Sequence, residues 1–257
     1  MEIEKQYVHE VYSRLASHCA ETESKKKLRI WPNVKKFIDE LPPGSIVIDV
    51  GCGQMKYEIG DGFLLGSDIC PEVLLKVHKC PLSDIHLADA LHLPYRDESV
   101  DAALFVSVVH HFSSLERRRK ALAEIASGQI LIYAWAFEQP NGSFKSQDVL
   151  VPWHLHENPS NGHRLASLMI GIEEQLAEEL SETILAEAIQ EALSTLQKVT
   201  FYRFYHVFKK DELEELVAMV PSLRIISVQY DYANWCLLAE KCDPFTSHDK
   251  KPFIISS

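Results

Sequence analysis

The sequence predicts a doubly wound α/β fold: a mainly parallel sheet closed by a final antiparallel strand, with a helical insertion. Three observations predict it. Ile46-Val47-Ile48-Asp49-Val50-Gly51-Cys52-Gly53 runs four β-prone apolar residues into an acidic residue and a glycine-spaced turn, the pattern of a buried parallel strand ending under a ligand. Short apolar runs then alternate with helical segments as far as Trp135, as a parallel sheet requires. After Lys210 the rhythm changes, and two strands flank the turn Tyr230-Asp231-Tyr232-Ala233 as an antiparallel hairpin.

The elements follow in order. From about Glu4 to Ala20, apolar Tyr7, Val8, Val11, Tyr12, Leu15 and Ala16 recur at helical spacing. A second helix starts near Pro32, where proline is tolerated, and ends before Pro42-Pro43-Gly44. The first strand follows, then Phe63-Leu64-Leu65-Gly66-Ser67 with Asp68 at its end, and a helix from Pro71. Ile85-His86-Leu87-Ala88 is a third strand and Val100 to Val106 a fourth. The next helix runs from about Ser113 to Ala126, with Ser113 as N-cap and Glu116 completing a capping box. Gln129 to Trp135 is the fifth strand. Phe137 to Pro159, polar and interrupted by prolines and a glycine, reads as a loop or lid. Ala166 to Leu196 carries an amphipathic helical pattern with a glutamate-rich face. Phe201 to Phe208 is extended, Lys210 to Val220 helical, and strands follow at Leu223–Gln229 and Asn234–Glu240. All 257 residues thus make one domain: N-terminal helices (1–44), a cofactor-binding half (45–136), a lid loop and acidic helical insertion (137–200), C-terminal strands and helix (201–241), and a tail (242–257).

Composition narrows the class. No run of eighteen apolar residues is present, so no transmembrane helix is expected, and the N-terminus lacks an apolar signal core. None of the six cysteines forms C-x-x-C; they read as reduced thiols of an intracellular protein, cytoplasmic with the nucleus as a second compartment. A net charge of −11 is awkward for nucleic-acid binding, which needs Lys and Arg against phosphate. Basic clusters exist nonetheless, at Lys25-Lys26-Lys27-Leu28-Arg29, Lys35-Lys36, Arg117-Arg118-Arg119-Lys120 and Lys209-Lys210.

The first turn specifies the cofactor. Glycines there let the backbone approach a ligand closely. A third glycine of the dinucleotide pattern G-x-G-x-x-G is missing, because Gln54-Met55-Lys56-Tyr57 follows Gly53. Asp49 inside the motif is wrong for a pyrophosphate and suits a cofactor with a cationic centre and an amino-acid tail. Asp68, about twenty residues past the turn, stands where such folds grip ribose hydroxyls. Together these indicate S-adenosylmethionine. His110-His111 invites a metal reading, but adjacent His point apart and no carboxylate or Cys completes a set, so no metal is expected.

Several phrases then match one family together: Tyr7-Val8-His9-Glu10-Val11-Tyr12, Ile48 to Gly53 with Lys56-Tyr57, Leu91-His92-Leu93-Pro94-Tyr95-Arg96-Asp97-Glu98, Val109-His110-His111-Phe112, Gln147-Asp148-Val149-Leu150-Val151-Pro152-Trp153, Tyr202-Arg203-Phe204-Tyr205-His206-Val207-Phe208 and Asn234-Trp235. The chain resembles the eukaryotic wobble-uridine tRNA carboxyl methyltransferases along most of its length, apart from the acidic segment. The resemblance implies a class I S-adenosylmethionine-dependent methyltransferase that esterifies 5-carboxymethyluridine at the anticodon wobble position. It also implies a small zinc-binding activator subunit on an apolar sheet edge, for which the third strand is the candidate. Gly51 and Gly53 would pass under the methionine part. Asp68, with Ile69 beside it, would take the ribose, and Asp89 and Ala90 the adenine. Ser107 and Val108 would line the sulfonium side, and Tyr12 would close over the cofactor. Arg203 is the implied clamp for the substrate carboxylate, since a guanidinium pairs a carboxylate bidentately. His206 and His110 are further candidates for substrate contact. On a regular strand Arg203 and His206 face opposite ways, so a bulge is required or only one serves. Trp135 and Trp153 either stack on a splayed base or belong to the core.

The chain departs from the family pattern in three places. Met55 stands where a further glycine is expected, Glu124-Ile125-Ala126-Ser127-Gly128-Gln129 lacks the Leu-x-Pro-Gly-Gly turn, and the acidic segment replaces a linker that is often basic. The rival reading is therefore a divergent, non-catalytic methyltransferase fold that binds tRNA or a protein partner.

Overall fold

The computed structural model describes residues 2–18, 30–77, 81–154 and 200–243. The expected acidic helix at 166–196 lies outside them. Parallel strands β1 (Ser45–Val50), β2 (Gly62–Asp68), β3 (Ser83–Leu87), β4 (Ala102–Val106) and β5 (Gln129–Trp135) join β8 (Leu223–Asp231) and β9 (Asn234–Lys241) in one sheet, in the order β3-β2-β1-β4-β5-β9-β8. Only β9 runs against its neighbours, pairing antiparallel with both β5 and β8. The order reverses at β1, which pairs parallel with β2 on one side and β4 on the other. That switch point is where ligands sit in open α/β sheets.

Strand alternation distributes the core to two faces. Val47, Leu64, Ala102, Leu104, Leu131 and Tyr133 pack with Val34, Phe37 and Ile38 of the helix Pro32–Asp39. Ile48, Val50, Ala103, Phe105, Ile130 and Ile132 pack on the other face with Ala121 and Leu122 of the helix Leu115–Glu124 and with Leu213, Leu216 and Val217 of the helix Glu212–Ala218. The N-terminal segment is helical from Glu2 to His18, with a π-helical turn at Lys5–His9. β3 is an edge strand, as expected, and Leu87 on it is 62% exposed.

Two local expectations are corrected. The N-cap of Leu115–Glu124 is Ser114, whose hydroxyl accepts from Arg117 N at 3.3 Å. Ser113 is drawn off by Glu4, whose Oε1 accepts both its N–H and its hydroxyl at 2.7 Å. The stretch read as a loop or lid contains β6 (Asp148–His154), which pairs with β7 (Thr200–His206) in a separate two-stranded sheet. Val149, Leu150, Val151 and Trp153 are strand formers, and Pro152 is tolerated where a strand has only one partner. The chain divides into two compact units, Met1–Val149 with Phe204–Ser257, and Leu150–Arg203.

Candidate functional site

A cavity of about 340 Å³ opens at the carboxyl ends of β1, β2 and β4. Gly51 (φ 71°) ends β1 in the left-handed region, and a Cβ there would stand 2.4 Å from Val108 Cγ2. Glycine is therefore needed on both counts. Gly53 (φ 56°) has open space where a Cβ would sit. The turn is strapped to β2: the N–H groups of Gly51 and Cys52 donate to Ser67 O at 2.7 and 3.0 Å. Asp68 completes the strap, with Oδ2 accepting from Gly53 N at 3.0 Å and Oδ1 from Cys70 N at 2.9 Å. Each oxygen keeps a lone pair for another donor. Burial raises the Asp68 carboxyl above its usual range, against those backbone N–H groups.

Asp49 forms part of the same wall, only 2% exposed, and its Oδ2 has no hydrogen-bond partner. Burial above all, reinforced by the nearby Asp68 charge and opposed by Lys56, pushes its pKa up to about 7. Burial likewise lowers the Lys56 ammonium, with Asp49 opposing. An unpartnered buried carboxylate is costly and calls for a cation or a donor. Asp89, past the end of β3, accepts from Leu91 N at 2.9 Å, and its second oxygen is 3.9 Å from His92 Nδ1. Ser107 follows β4 in the left-handed region (φ 64°), held by its N–H to Tyr133 O at 3.0 Å. Tyr12, Asp49, Gly51, Gly53, Asp68, Ile69, Asp89, Ala90, Ser107 and Val108 all line this one cavity.

Met55 does not crowd it. The residue does take a glycine conformation (φ 55°), but its side chain is not among those lining the cavity. It turns into the core on the Val34 face of the sheet, and its Sδ would lie 3.2 Å from a Cβ on Gly66.

The second His of the pair, not the first, reaches the cavity. His111 Nδ1 lies 2.9 Å from Phe204 O, and its Nε2 is 3.1 Å from the Tyr12 hydroxyl. A carbonyl only accepts, so Nδ1 carries the proton and Nε2 accepts from Tyr12. His110 is 1% exposed, away from the cavity, and its Nδ1 accepts from Trp135 N at 3.2 Å. Its ring lies 4.7 Å from that of Tyr205, which stacks on Trp135 at 4.5 Å. His206 is committed elsewhere too: Nδ1 lies 2.7 Å from Asp148 and Nε2 2.8 Å from Glu212. The strand β7 is continuous through Arg203 and His206, so the two fall on opposite faces. Arg203 belongs to the unit Leu150–Arg203, where its guanidinium lies 5.2 Å over the ring of Trp153.

Sequence reasoning missed Glu4 and Arg117 in the cavity wall. Glu4 is 2% exposed and pairs with Arg117, Oε2 to NH2 at 2.6 Å and Oε1 to Nε at 2.9 Å. Burial alone would raise its carboxyl, but the Ser113 and Arg117 donors hold it below the usual range. His9 also lines the cavity, one helical turn before Tyr12. Nothing in the spacing set Glu4 apart from the solvated acids around it.

Residues 48–127 match a methyltransferase domain family. The chain is 35% identical over 256 residues to the tRNA (carboxymethyluridine(34)-5-O)-methyltransferase of Schizosaccharomyces pombe, covering 94% of this chain and 99% of that one. It is 29% identical over 330 residues to the Mus musculus tRNA (carboxymethyluridine(34)-5-O)-methyltransferase ALKBH8, covering 94% of this chain but 45% of that one. It thus spans nearly the whole fission-yeast relative and less than half the length of the vertebrate relatives it matches. Among solved structures, the Haloferax volcanii chain in complex with the Trm112 methyltransferase activator superposes with TM-score 0.52 at 13% identity, covering 90% of this chain and 97% of that one, a likeness of fold. Sequence kinship over this length settles the family: the chain belongs to the tRNA (carboxymethyluridine(34)-5-O)-methyltransferases.

Proposed function

We propose that this chain transfers the methyl group of S-adenosylmethionine to the carboxylate of 5-carboxymethyluridine at the wobble position of tRNA. The observation that carries the cofactor is the buried, unpartnered Asp49 carboxylate in a cavity that also holds Asp68 and Asp89. Family membership carries the substrate. S-adenosylmethionine, when bound, supplies an electrophilic methyl group on a sulfonium. Asp49 offsets its positive charge, Gly51 and Gly53 let the backbone come close, and Asp68 accepts from the ribose diol. Asp89 reads the adenine amino group with Ala90 beside it, Ile69, Ser107 and Val108 form the wall, and Tyr12, oriented by His111, closes the cavity.

The acceptor needs no base. A carboxylate is ionised far below neutral pH, so the protein has to bind it, exclude water and align it. Alignment of this kind contributes about 7–11 kcal/mol in favourable cases. Arg203 is the clamp in this reading, and its place over Trp153 supports a guanidinium plane fixed for bidentate pairing. The non-catalytic alternative loses its main support, because Met55 leaves the cavity clear.

The exposed Leu82 and Leu87, beside and on edge strand β3, support a docking face there for a small zinc-binding activator subunit. Leu87→Asp should abolish co-purification with such a subunit; an intact complex would remove β3 as the face. The free state of Cys52, Cys70, Cys236 and Cys242 supports a reducing, cytoplasmic setting. The deciding assay is methyl transfer from isotope-labelled S-adenosylmethionine to hypomodified tRNA, with nucleoside mass spectrometry of the product. A methyl ester on carboxymethyluridine, lost in Asp68→Ala and Arg203→Ala, is the expected result. No transfer by a soluble complex beside an active control enzyme would overturn the reading.

A further inference from the structure

We propose that Trp31 and Tyr232 form an aromatic platform that stacks an unpaired base of the RNA substrate, an inference that rests on the RNA reading above. Tyr232 occupies the tip of the β8–β9 hairpin and is 65% exposed. It holds φ 45°, and Ala233 after it holds φ 67°. Two successive left-handed residues make the turn that hairpins normally build from Asn-Gly. A bulky aromatic in that conformation is a steric outlier, and such outliers concentrate at functional sites. A large apolar ring presented to water at a strained turn is unfavourable twice over, unless something covers it.

The tip is rigidly held. Asp231 Oδ2 accepts from Asn33 Nδ2 at 2.9 Å and from the Tyr133 hydroxyl at 2.7 Å. Asn234 Nδ2 donates to Tyr232 O at 2.8 Å. Trp31 stacks on Tyr133 with ring centres 5.6 Å apart, and its other ring neighbour is Tyr232 at 6.2 Å. Tyr133, 1% exposed, is the buried base of the group, and its carbonyl holds Ser107 of the cavity wall. The platform is thus continuous with the cofactor site through a single residue. Every nucleobase offers a π face, and aromatic rings fixed beforehand stack unpaired bases at small entropic cost. In the sequence, Trp31 follows Lys25-Lys26-Lys27-Leu28-Arg29, a charge suited to phosphate and not to a second copy of this acidic chain.

The test uses the full chain and a fluorescently labelled anticodon stem-loop, with dissociation constants from anisotropy and unfolding midpoints measured in parallel. Tyr232→Asn removes the ring but accepts the left-handed backbone, so its unfolding midpoint should equal or exceed that of the wild type. Its RNA affinity should fall at least about fivefold, the low end for one stacked base, as should that of Trp31→Ala. Tyr232→Phe should stay within about twofold, because it keeps the π face. Unchanged RNA affinity in Tyr232→Asn would overturn the platform, as would loss of self-association instead of RNA binding. A wild-type chain that binds no RNA would overturn both the platform and the methyl-transfer reading. Weakened binding in the variants with no transfer by the wild type would sink that reading alone and leave the platform standing.

Discussion

Replacing Asp49 with Asn should make the protein more stable and less able to bind its cofactor, with an effect that depends on pH. The carboxyl is moved from 3.8 to about 7 by burial above all. Because the folded value is raised, the stabilisation is fully present below the unfolded pKa and is lost as pH rises through the folded one. A shift of that size corresponds to about 4 kcal/mol across the whole window, of which about 3 kcal/mol falls between pH 5 and pH 8. Asn cannot ionise, so Asp49→Asn escapes this loss while keeping the shape and an equally unpartnered amide. Subtracting the two unfolding curves cancels every other titrating group. The variant should therefore gain about 6–12 °C on the wild type between pH 5 and pH 8. Calorimetric titration with S-adenosylmethionine should run the other way. The variant should bind at least about tenfold more weakly at pH 8, the loss expected for one charge-assisted contact. The wild-type affinity should rise from pH 6 to pH 8 while that of the variant stays flat. Unfolding curves that keep a constant separation across pH, or equal cofactor affinity at pH 8, would refute the reasoning.

Three further outcomes follow from the same wall. Gly51→Ala puts a Cβ 2.4 Å from Val108 Cγ2 at φ 71°; it should lose about 2 kcal/mol in urea unfolding and most of its cofactor affinity. Met55→Gly should leave the cofactor dissociation constant within about twofold, since one residue outside the cavity makes no contact to lose; tightening of fivefold or more would mean that Met55 does crowd the ligand. Glu4 has a depressed carboxyl, so its contribution is present above its unfolded value of 4.5 and lost as pH falls through the folded one. Glu4→Gln should accordingly speed amide hydrogen exchange across residues 2–18 at pH 7, and the difference from the wild type should shrink in acid; equal exchange at pH 7 would show that the Glu4 latch does not hold the segment.

What the sequence revealed and what it hid divide along a physical line. The strand ends, the glycine turn and Asp49, Asp68 and Asp89 were legible because each answers a local demand. An apolar run needs burial, a left-handed turn needs glycine, and a carboxylate at a strand end has a fixed place in the α/β switch point. The histidines were not legible. His110 and His111 are chemically identical neighbours on one 3-10 turn, and only Phe204, 93 residues later, selects His111 for the cavity. His206 looked available until Asp148, 58 residues earlier, and Glu212 took both its ring nitrogens. β6 was hidden because its partner strand lies beyond a long insertion, so proline signals outweighed the β-prone Val-Leu-Val run. Met55 is the most instructive case. A missing glycine was read as an obstructed cofactor, which merges two separate demands. The backbone demand is a positive φ, and Met55 meets it at φ 55°, where an L residue pays roughly 1–2 kcal/mol. The side-chain demand is space, and the same left-handed backbone turns Met55 away from the ligand and against Gly66, whose lack of a Cβ leaves room for its sulfur. Gly66 on β2 thus accommodates what the turn after β1 lost, and a lost glycine in such a turn signals lost binding only where no neighbouring glycine receives the side chain.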